Sequence, residues 1–377
     1  MTKYNSSIIE NKLHPKIRLN SICPYFTMFP LSFPYKVLRY AKKTDLVYDP
    51  FCGRGTTNFA ARLLGMSSYG VDSNPIAQAI AQAKLIHANP IDIQDRCQTI
   101  LQGDYYFDIP TGDFWEIAYH AETLNSICKL RTYFLNQESL DEIDIALRAI
   151  VLGVLHGPKM KTTQSYLSNQ MPRTYATKPD YSVRFWEKRQ LVPENIQIAN
   201  LIKRKSEYIF NDEIPTQTGG NIILGDSRFI NEISSSKFNW VITSPPYFGM
   251  STYKQDQWLR NWFLGGSSDV DYSNKTQLKH GSEITFIDDL SKVWINTSLK
   301  CNPNARMIIR FGALPSKSEK TPSELIKESL KKANCGWKLT KICSAGEPSD
   351  SQRQANQFKK EMKKYIEEID VYATLKI

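Results

Sequence analysis

The sequence lacks a hydrophobic run long enough to cross a membrane. No apolar stretch approaches the ~20 residues that a membrane-spanning helix needs. The first 20 residues, MTKYNSSIIENKLHPKIRLN, are polar and have no apolar core of the kind found in a secretory signal. We therefore expect a cytoplasmic protein with no membrane partner.

Patterns of metal-binding and disulfide-forming cysteines are also absent. The seven cysteines are scattered, form no CxxC pair and have no histidines at metal-ligand spacing. This distribution argues against structural zinc and favours a reducing compartment. We predict no metal site.

Negative charge is scarce in one part of the chain, and the imbalance suggests a partner. The formal net charge is +10, and residues 151–205 contain ten Lys or Arg against three Asp or Glu. A concentrated basic excess is typical of proteins that bind a polyanion. A merely solvated basic face explains the same charge equally well, so both interpretations stay open at this point.

The pattern of hydrophobic residues predicts an α/β fold. A short strand at 46–51, a helix at 57–65, a strand ending at Asp72 and an Ala-rich helix after Asn74-Pro75 form a βαβα unit, which is typical of a parallel, doubly wound sheet. Helical patterns then dominate until about residue 215. Further strands are predicted at 221–226, 238–244, 305–312, 337–344 and 368–377. The predicted architecture is one mostly parallel sheet interrupted by a largely helical insertion.

The turn after the first strand could hold a ligand. In the stretch DPFCGRGTT, Gly53 and Gly55 let the backbone approach a ligand, and the next helix begins with unpaired N–H groups. Asp72 and Asp226 end two later strands, and an acid at such a strand end suits the hydroxyls of a ribose. A tight turn with surface aspartates is the alternative, but three strands ending in Asp favour a nucleoside ligand.

The stretch VITSPPYFGM is unusually stiff. Val241 and Ile242 end a buried strand, and two prolines follow Ser244. Proline fixes its own backbone angle and restricts the residue before it. Residues 244–247 should therefore form a rigid, extended tetrapeptide at the edge of the sheet.

Taken together, DPFCGRGTT, GVDSNP, LGD and TSPPY resemble the amino-DNA methyltransferases that use S-adenosylmethionine. The residues 51–55 fit that family's FxGxG cofactor motif, and 244–247 fit its [DNS]PP[YF] catalytic motif. The stretch 23–38 is similar, more loosely, to the segment lining the methionine end of the cofactor. The resemblance implies a Rossmann-like class I methyltransferase with a catalytic domain at 1–90 and 216–377. It also implies a target-recognition domain inserted at 91–215, between the two motifs.

The resemblance also implies which residues act. The catalytic residues are Ser244, Pro245, Pro246 and Tyr247. The cofactor-binding residues are Tyr25, Asp49, Phe51, Gly53, Gly55, Thr56, Asp72 and Asp226. The candidates for contacts with double-stranded DNA are Lys159, Lys161, Asn169, Gln170, Arg173, Arg184, Lys188 and Arg189. Cations of this kind contact phosphates, and amides read base edges.

The expected reaction moves a methyl group to an exocyclic amine of a flipped base. Carbon-5 methylation is excluded because that family carries its nucleophile in a Pro-Cys dipeptide, which this chain lacks. Serine at position 244 favours N4-cytosine over N6-adenine. The same motifs are compatible with an RNA base methylase and with an inactive methylase fold that binds DNA. A bacterial or phage modification enzyme with a cognate restriction endonuclease fits the resemblance.

Overall fold

The computed structural model describes residues 6–25, 29–104, 106–158, 164–171, 178–229, 237–249, 257–270, 282–313, 318–346 and 368–376. Within these residues a seven-stranded sheet forms the centre of the fold. Its strands are β1 (Val47–Asp49), β2 (Ser68–Asp72), β3 (Gly220–Leu224), β4 (Phe238–Thr243), β5 (Cys301–Gly312), β6 (Trp337–Gly346) and β7 (Glu368–Leu375). Each of these strands overlaps a stretch that the sequence predicted to be extended, and β5 begins four residues before the predicted start at 305.

The strand order is β3-β2-β1-β4-β5-β7-β6. The first five strands in this order pair in parallel, and β7 runs antiparallel to both β5 and β6. The mostly parallel, doubly wound sheet is therefore confirmed. The order reverses between β1 and β4, and ligands of open α/β sheets bind at the carboxyl ends of the strands beside such a reversal.

Helices connect and surround the strands. The α-helices are α1 (Ser6–Glu10), α2 (Ser32–Leu38), α3 (Thr56–Leu63), α4 (Pro75–Ala83), α5 (Pro90–Gln102), α6 (Asp113–Ala118), α7 (Ala121–Leu135), α8 (Glu142–Val154), α9 (Pro179–Glu187), α10 (Ile198–Ile209), α11 (Trp258–Phe263), α12 (Glu283–Leu299) and α13 (Pro322–Ala333), and a 3-10 helix spans Pro15–Ser21. Among the described residues, no helix has the length and apolar character needed to cross a membrane.

Both faces of the sheet are covered by apolar side chains. Val47 and Ile242 belong to a hydrophobic cluster that includes α3, α4 and α8, whereas Tyr48 and Val241 belong to a second cluster with α12 and α13. Neighbouring residues of a strand point to opposite faces, which explains this division. A parallel sheet of this kind is stable only when both faces are buried.

The helical stretch between β2 and β3 shares its core with the sheet. Buried residues of α5, α7, α8 and α10 lie in the same hydrophobic cluster as those of α3 and α4. The chain is thus helical where the sequence predicted an insertion. The boundaries 1–90, 91–215 and 216–377 stay a prediction, and the buried core is continuous across the first of them.

Candidate active site

The glycine turn lies at the reversal point of the sheet. Gly53 and Gly55 both have left-handed backbone angles, with φ of 50° and 71°. A Cβ on Gly55 would lie 2.8 Å from the Cβ of Ala81 and 2.9 Å from its Cα, so this glycine lets α4 pack against the turn. A Cβ on Gly53 would meet no described atom within 4 Å. Gly53 therefore borders open space, as expected where a ligand approaches the backbone.

The two glycines should respond differently to alanine. An alanine at either position has to adopt a left-handed backbone angle, which costs about 1–2 kcal/mol. Gly55→Ala also introduces a clash with the α4 backbone, which costs about 1–3 kcal/mol more. Gly53→Ala has the backbone cost alone. Thermal unfolding of both variants should show the larger loss for Gly55→Ala, and equal losses would contradict this assignment of space.

Asp49 ends β1 directly beneath the turn and joins it to the catalytic strand. The carboxylate is 2% exposed. Its Oδ1 accepts hydrogen bonds from the Phe51 amide at 3.1 Å and from the Thr243 hydroxyl at 2.6 Å. Burial raises the pKa of Asp49 to about 6, although the hydrogen bonds oppose this shift.

Stability should depend on pH through Asp49. A free aspartate has a pKa of about 3.9, so the native state holds an extra proton between roughly pH 4 and pH 6. The stabilisation that this extra proton gives the native state is fully present below about pH 4 and is lost as the pH rises through 6. In Asp49→Asn, which keeps the acceptor but cannot titrate, the fall in unfolding free energy from about pH 4.5 to 7.5 should be smaller by about 2 kcal/mol. Urea unfolding of wild type and Asp49→Asn at both pH values measures this change. If the two proteins lose the same unfolding free energy between these pH values, the raised pKa of Asp49 is contradicted.

Asp72 lies across the turn and binds its backbone. Its Oδ2 accepts from the Gly53 amide at 2.9 Å, and its Oδ1 accepts from the Asn74 amide at 2.8 Å. Burial raises the pKa of Asp72 to about 6. The Asn74 side chain caps α4 and donates to the Tyr25 hydroxyl at 2.9 Å. The structure thus brings Asp72, the glycine turn and Tyr25 together, as the sequence predicted.

Asp226, another of the predicted cofactor-binding residues, is paired with a cation of the protein. Arg228 binds both of its oxygens, with its Nη2 at 2.6 Å from Oδ2 and its Nε at 3.0 Å from Oδ1. Arg228 also lies 2.7 Å from the buried carboxylate of Asp289. Although burial opposes it, this pairing lowers the pKa of Asp226. Asp226 lies at the expected strand edge, but its charge is neutralised within the protein.

Three cations hold the segment that carries Tyr25, and sequence reasoning missed all of them. Arg54 donates to the Tyr25 carbonyl at 3.2 Å, and Arg260 donates to the carbonyl just before it at 2.7 Å. The Lys84 ammonium donates to the Asn20 side chain at 2.9 Å, and burial lowers its pKa well below the usual value. Their donors face backbone and amide oxygens, so we assign them to positioning this segment.

The remaining cofactor candidates surround the same turn. Phe51 is half-buried and packs against the second hydrophobic cluster. Thr56 is buried at the first position of α3. Both positions agree with the FxGxG motif and the helix that follows it.

The tetrapeptide 244–247 begins where β4 ends, beside the glycine turn. Ser244 is 7% exposed, and its Oγ has no hydrogen-bond partner among the described residues. A buried hydroxyl of this kind is costly unless a ligand or water satisfies it. Pro245 is buried and Pro246 is half-buried. The structure thus places an unsatisfied hydroxyl next to the turn formed by residues 51–55.

Tyr247 is not open to a ligand in this structure. Its ring is 0% exposed and packs edge-on against Phe311 at 5.7 Å. Its hydroxyl donates to Glu368 Oε1 at 2.9 Å. In this position the ring presents no exposed face on which a base could stack. Sequence reasoning missed Glu368, because no motif marks a buried acid 121 residues away.

The candidates for DNA contact divide into three groups. Lys159, Lys161 and Arg173 lie outside the described residues. Arg184, Lys188 and Arg189 are exposed in or just after α9, where phosphate contacts are feasible. Residues Asn169 and Gln170 lie in the loop before α9.

The side chain of Asn169, a predicted DNA contact, is engaged within the protein in this structure. Its side-chain amide donates to the carbonyls of Ile117 and Leu191, both at 3.1 Å, and its Oδ1 accepts from the Gln170 amide at 2.8 Å. With these bonds and 8% exposure, Asn169 holds the loop together. The Gln170 carbonyl accepts from the Trp186 indole at 2.7 Å, so this residue also supports the loop through its backbone.

The described residues contain no group of three or more His, Cys, Asp or Glu arranged to hold a metal ion. The seven cysteines are free thiols.

Comparison with known proteins supports the resemblance. A family model described as DNA methylase, the N6_N4_Mtase model, matches residues 4–83. The type II methyltransferase M.BsoBI of Geobacillus stearothermophilus is 22% identical over 275 residues, which are 67% of this chain and 52% of that protein. The chain spans about half the length of this curated relative. These matches confirm the resemblance to the amino-DNA methyltransferases.

Solved structures give weaker likenesses. A SAM-dependent methyltransferase of Methanosarcina mazei aligns with a TM-score of 0.36 and 8% identity, covering 91% of this chain and 97% of that one. The rRNA methyltransferase aviRa of Streptomyces viridochromogenes aligns with a TM-score of 0.34 and 10% identity, covering 93% and 87%. Scores this low carry no argument, and the fold class rests on the strand order itself.

Proposed function

We propose that this chain, which resembles the amino-DNA methyltransferases over the regions matched above, transfers a methyl group from S-adenosylmethionine to an exocyclic amine of a DNA base. The observation that carries the proposal is the Ser244 hydroxyl, which is buried, unsatisfied among the described residues and adjacent to the glycine turn. The match of residues 4–83 to the DNA methylase model supports the substrate class.

The cofactor would bind along the glycine turn. Gly53 borders open space, and α3 begins directly after Gly55 with no side-chain cap on its N-terminus among the described residues. The Asp72 carboxylate already orders the turn and keeps lone pairs for the hydroxyls of a ribose. Tyr25 bounds the site from the N-terminal segment. When bound, the cofactor supplies an electrophilic methyl group on a sulfonium.

Residues 244–247 would prepare the amine. The nitrogen of an exocyclic amine is conjugated with its ring and is a poor nucleophile. Ser244 Oγ and the Pro245 carbonyl can accept hydrogen bonds from the N–H groups, which would free the lone pair to form the new N–C bond as the methyl–sulfur bond breaks and leaves a neutral thioether. The product amine then loses one proton to solvent. Proline stiffness keeps the acceptors in place, so little reorganisation accompanies the reaction.

The target base would have to leave the duplex before it could reach this pocket. Extruding a base costs a few kcal/mol, which contacts in the pocket offset. The exposed cations Arg184, Lys188 and Arg189 would contact phosphates nearby. A neutral serine at the first motif position favours N4-cytosine, with N6-adenine as the alternative.

The setting of the reaction follows from the same proposal. A relative that is named a type II methyltransferase supports a modification enzyme with a cognate restriction endonuclease as partner. Such an enzyme of a bacterium or phage would act on DNA in the cytoplasm.

Product analysis tests the proposal. The purified protein is incubated with duplex DNA of mixed sequence and S-adenosylmethionine carrying a trideuterated methyl group, and the nucleosides are identified by mass spectrometry. Deuterated N4-methylcytosine confirms the whole proposal, and deuterated N6-methyladenine confirms the reaction and corrects the base. Methylation of RNA alone would replace the substrate class. Cofactor binding without any product would indicate an inactive methylase fold.

A further inference from the structure

The tetrapeptide 244–247 is attached to the sheet by a carboxylate at each end. Before it, the Thr243 hydroxyl donates to Asp49 at 2.6 Å. At its far end, the Tyr247 hydroxyl donates to Glu368 at 2.9 Å. Both acids are almost completely buried, at 2% and 1% exposure. The unsatisfied Ser244 hydroxyl lies between these two attachments.

Glu368 is itself held in a polar cluster beside the tetrapeptide. It is the first residue of β7 and pairs with Gly312 on β5 and Gly346 on β6. Two residues further along β7, Asp370 makes two 2.8 Å bonds to the Arg310 guanidinium. Glu368 therefore occupies a rigid position between two strands.

Stiffness within the tetrapeptide does not by itself fix where it lies. Two prolines keep residues 244–247 extended, but a rigid rod anchored only at Thr243 can still pivot about that end. A displacement of about 1 Å at reacting groups can cost as much as a hundredfold in rate. At the far end two contacts limit this pivoting: the backbone bridge between Phe248 and Ala313, and the side-chain bond between Tyr247 and Glu368, which acts on the tetrapeptide itself.

We propose that Glu368 is a positioning residue that, through the Tyr247 hydroxyl, holds Ser244 and the Pro245 carbonyl in the geometry for methyl transfer. The inference rests on the proposed function and adds a residue outside both motifs. We expect Glu368 to act on the rate of the chemical step rather than on cofactor binding, because its hydrogen bond is made to the tetrapeptide that carries the proposed acceptors.

Four variants test this role in single-turnover methyl transfer. Tyr247→Phe removes the donor and keeps the ring, and Glu368→Leu removes the acceptor. Each should slow transfer by about 10- to 100-fold, with the dissociation constant of the cofactor within about twofold of wild type. The double variant should be no slower than the slower single variant, because both single variants remove the same bond between Tyr247 and Glu368. Glu368→Gln keeps an acceptor oxygen and should stay within about threefold of wild type.

Tyr119→Phe is the matched control. Tyr119 is nearly as buried as Tyr247, and its hydroxyl donates to the Leu155 carbonyl at 2.9 Å. Both residues of this bond lie in the helical part of the fold, far in sequence from residues 244–247. Tyr119→Phe should lose a similar amount of thermal stability and keep the wild-type rate. If Glu368→Leu does not fold, the comparison of Tyr247→Phe with Tyr119→Phe decides alone.

The outcomes separate the two proposals. An active wild type with unaffected Tyr247→Phe and Glu368→Leu variants overturns the positioning role only. Independent, multiplying losses in the double variant also overturn it. A wild type that binds cofactor and methylates neither DNA nor RNA overturns the proposed function, and the positioning role with it.

Discussion

Replacing Ser244 with alanine is expected to slow methyl transfer by about 10²–10³-fold, the loss typical when one preorganised polar group is removed from an active site. The hydroxyl is buried and has no described partner, so its role is to be satisfied by a bound group. Its removal should not destabilise the fold, because no internal bond is broken. The dissociation constant of S-adenosylmethionine should therefore stay close to wild type while the single-turnover rate falls.

Ser329→Ala is the control for this prediction. Ser329 is equally buried, but its hydroxyl accepts the Trp294 indole N–H at 2.9 Å between α12 and α13. Its loss should lower thermal stability and leave the rate unchanged. The opposite pattern, a stability loss for Ser244→Ala with normal activity, would show that the Ser244 hydroxyl is structural.

The second large effect is expected on stability, from the pair Arg310–Asp370. The Arg310 and Asp370 side chains are only 8% and 11% exposed, and the guanidinium lies 3.8 Å above the Phe33 ring. Asp370→Ala leaves the buried guanidinium without its hydrogen-bonded carboxylate, although the Glu368 carboxylate still attracts it, and the loss of one partner of a buried pair typically costs about 3–5 kcal/mol. Asp370→Ala should therefore lower the unfolding free energy by this amount in chemical denaturation.

A surface ion pair provides the comparison. Lys36 and Glu10 are 3.7 Å apart and more than half exposed, so Glu10→Ala should cost at most about 1 kcal/mol. Replacing Arg310 and Asp370 together with apolar residues of similar size should recover much of the stability that Asp370→Ala loses. If Asp370→Ala lowers the unfolding free energy by as little as Glu10→Ala does, water reaches the Arg310 charge.

Local sequence patterns account for most of the fold. Each strand combines apolar residues with a charged or glycine-rich boundary, and this signal is contained within a short stretch of chain. The Asn74-Pro75 start of α4 is equally local, since the Asn74 side chain accepts from the Ile76 amide at 3.0 Å. Asp49, Asp72 and the glycine turn could be predicted to meet because the carboxyl ends of neighbouring parallel strands share one edge.

The features that sequence reasoning missed depend on contacts between distant residues. Nothing near Tyr247 indicates that its hydroxyl would pair with Glu368 and its ring would be buried. The amide of Asn169 was predicted to read a base because it lies in a basic segment, yet its bonds reach residues 52 and 22 positions away. The composition of a segment reports which residues are neighbours in sequence, but whether a side chain is buried depends on the residues that pack against it in the fold.

The position of β7 has a consequence for synthesis of the protein. This strand lies between β5 and β6, although both of them precede it in the chain. Until residue 375 has left the ribosome, β5 therefore exposes an unpaired edge and β6 lacks the neighbour it pairs with. Exposed edges of this kind are prone to aggregation. A nascent chain stopped before residue 368 should therefore need chaperone protection, and its Tyr247 hydroxyl would lack the carboxylate that accepts its hydrogen bond.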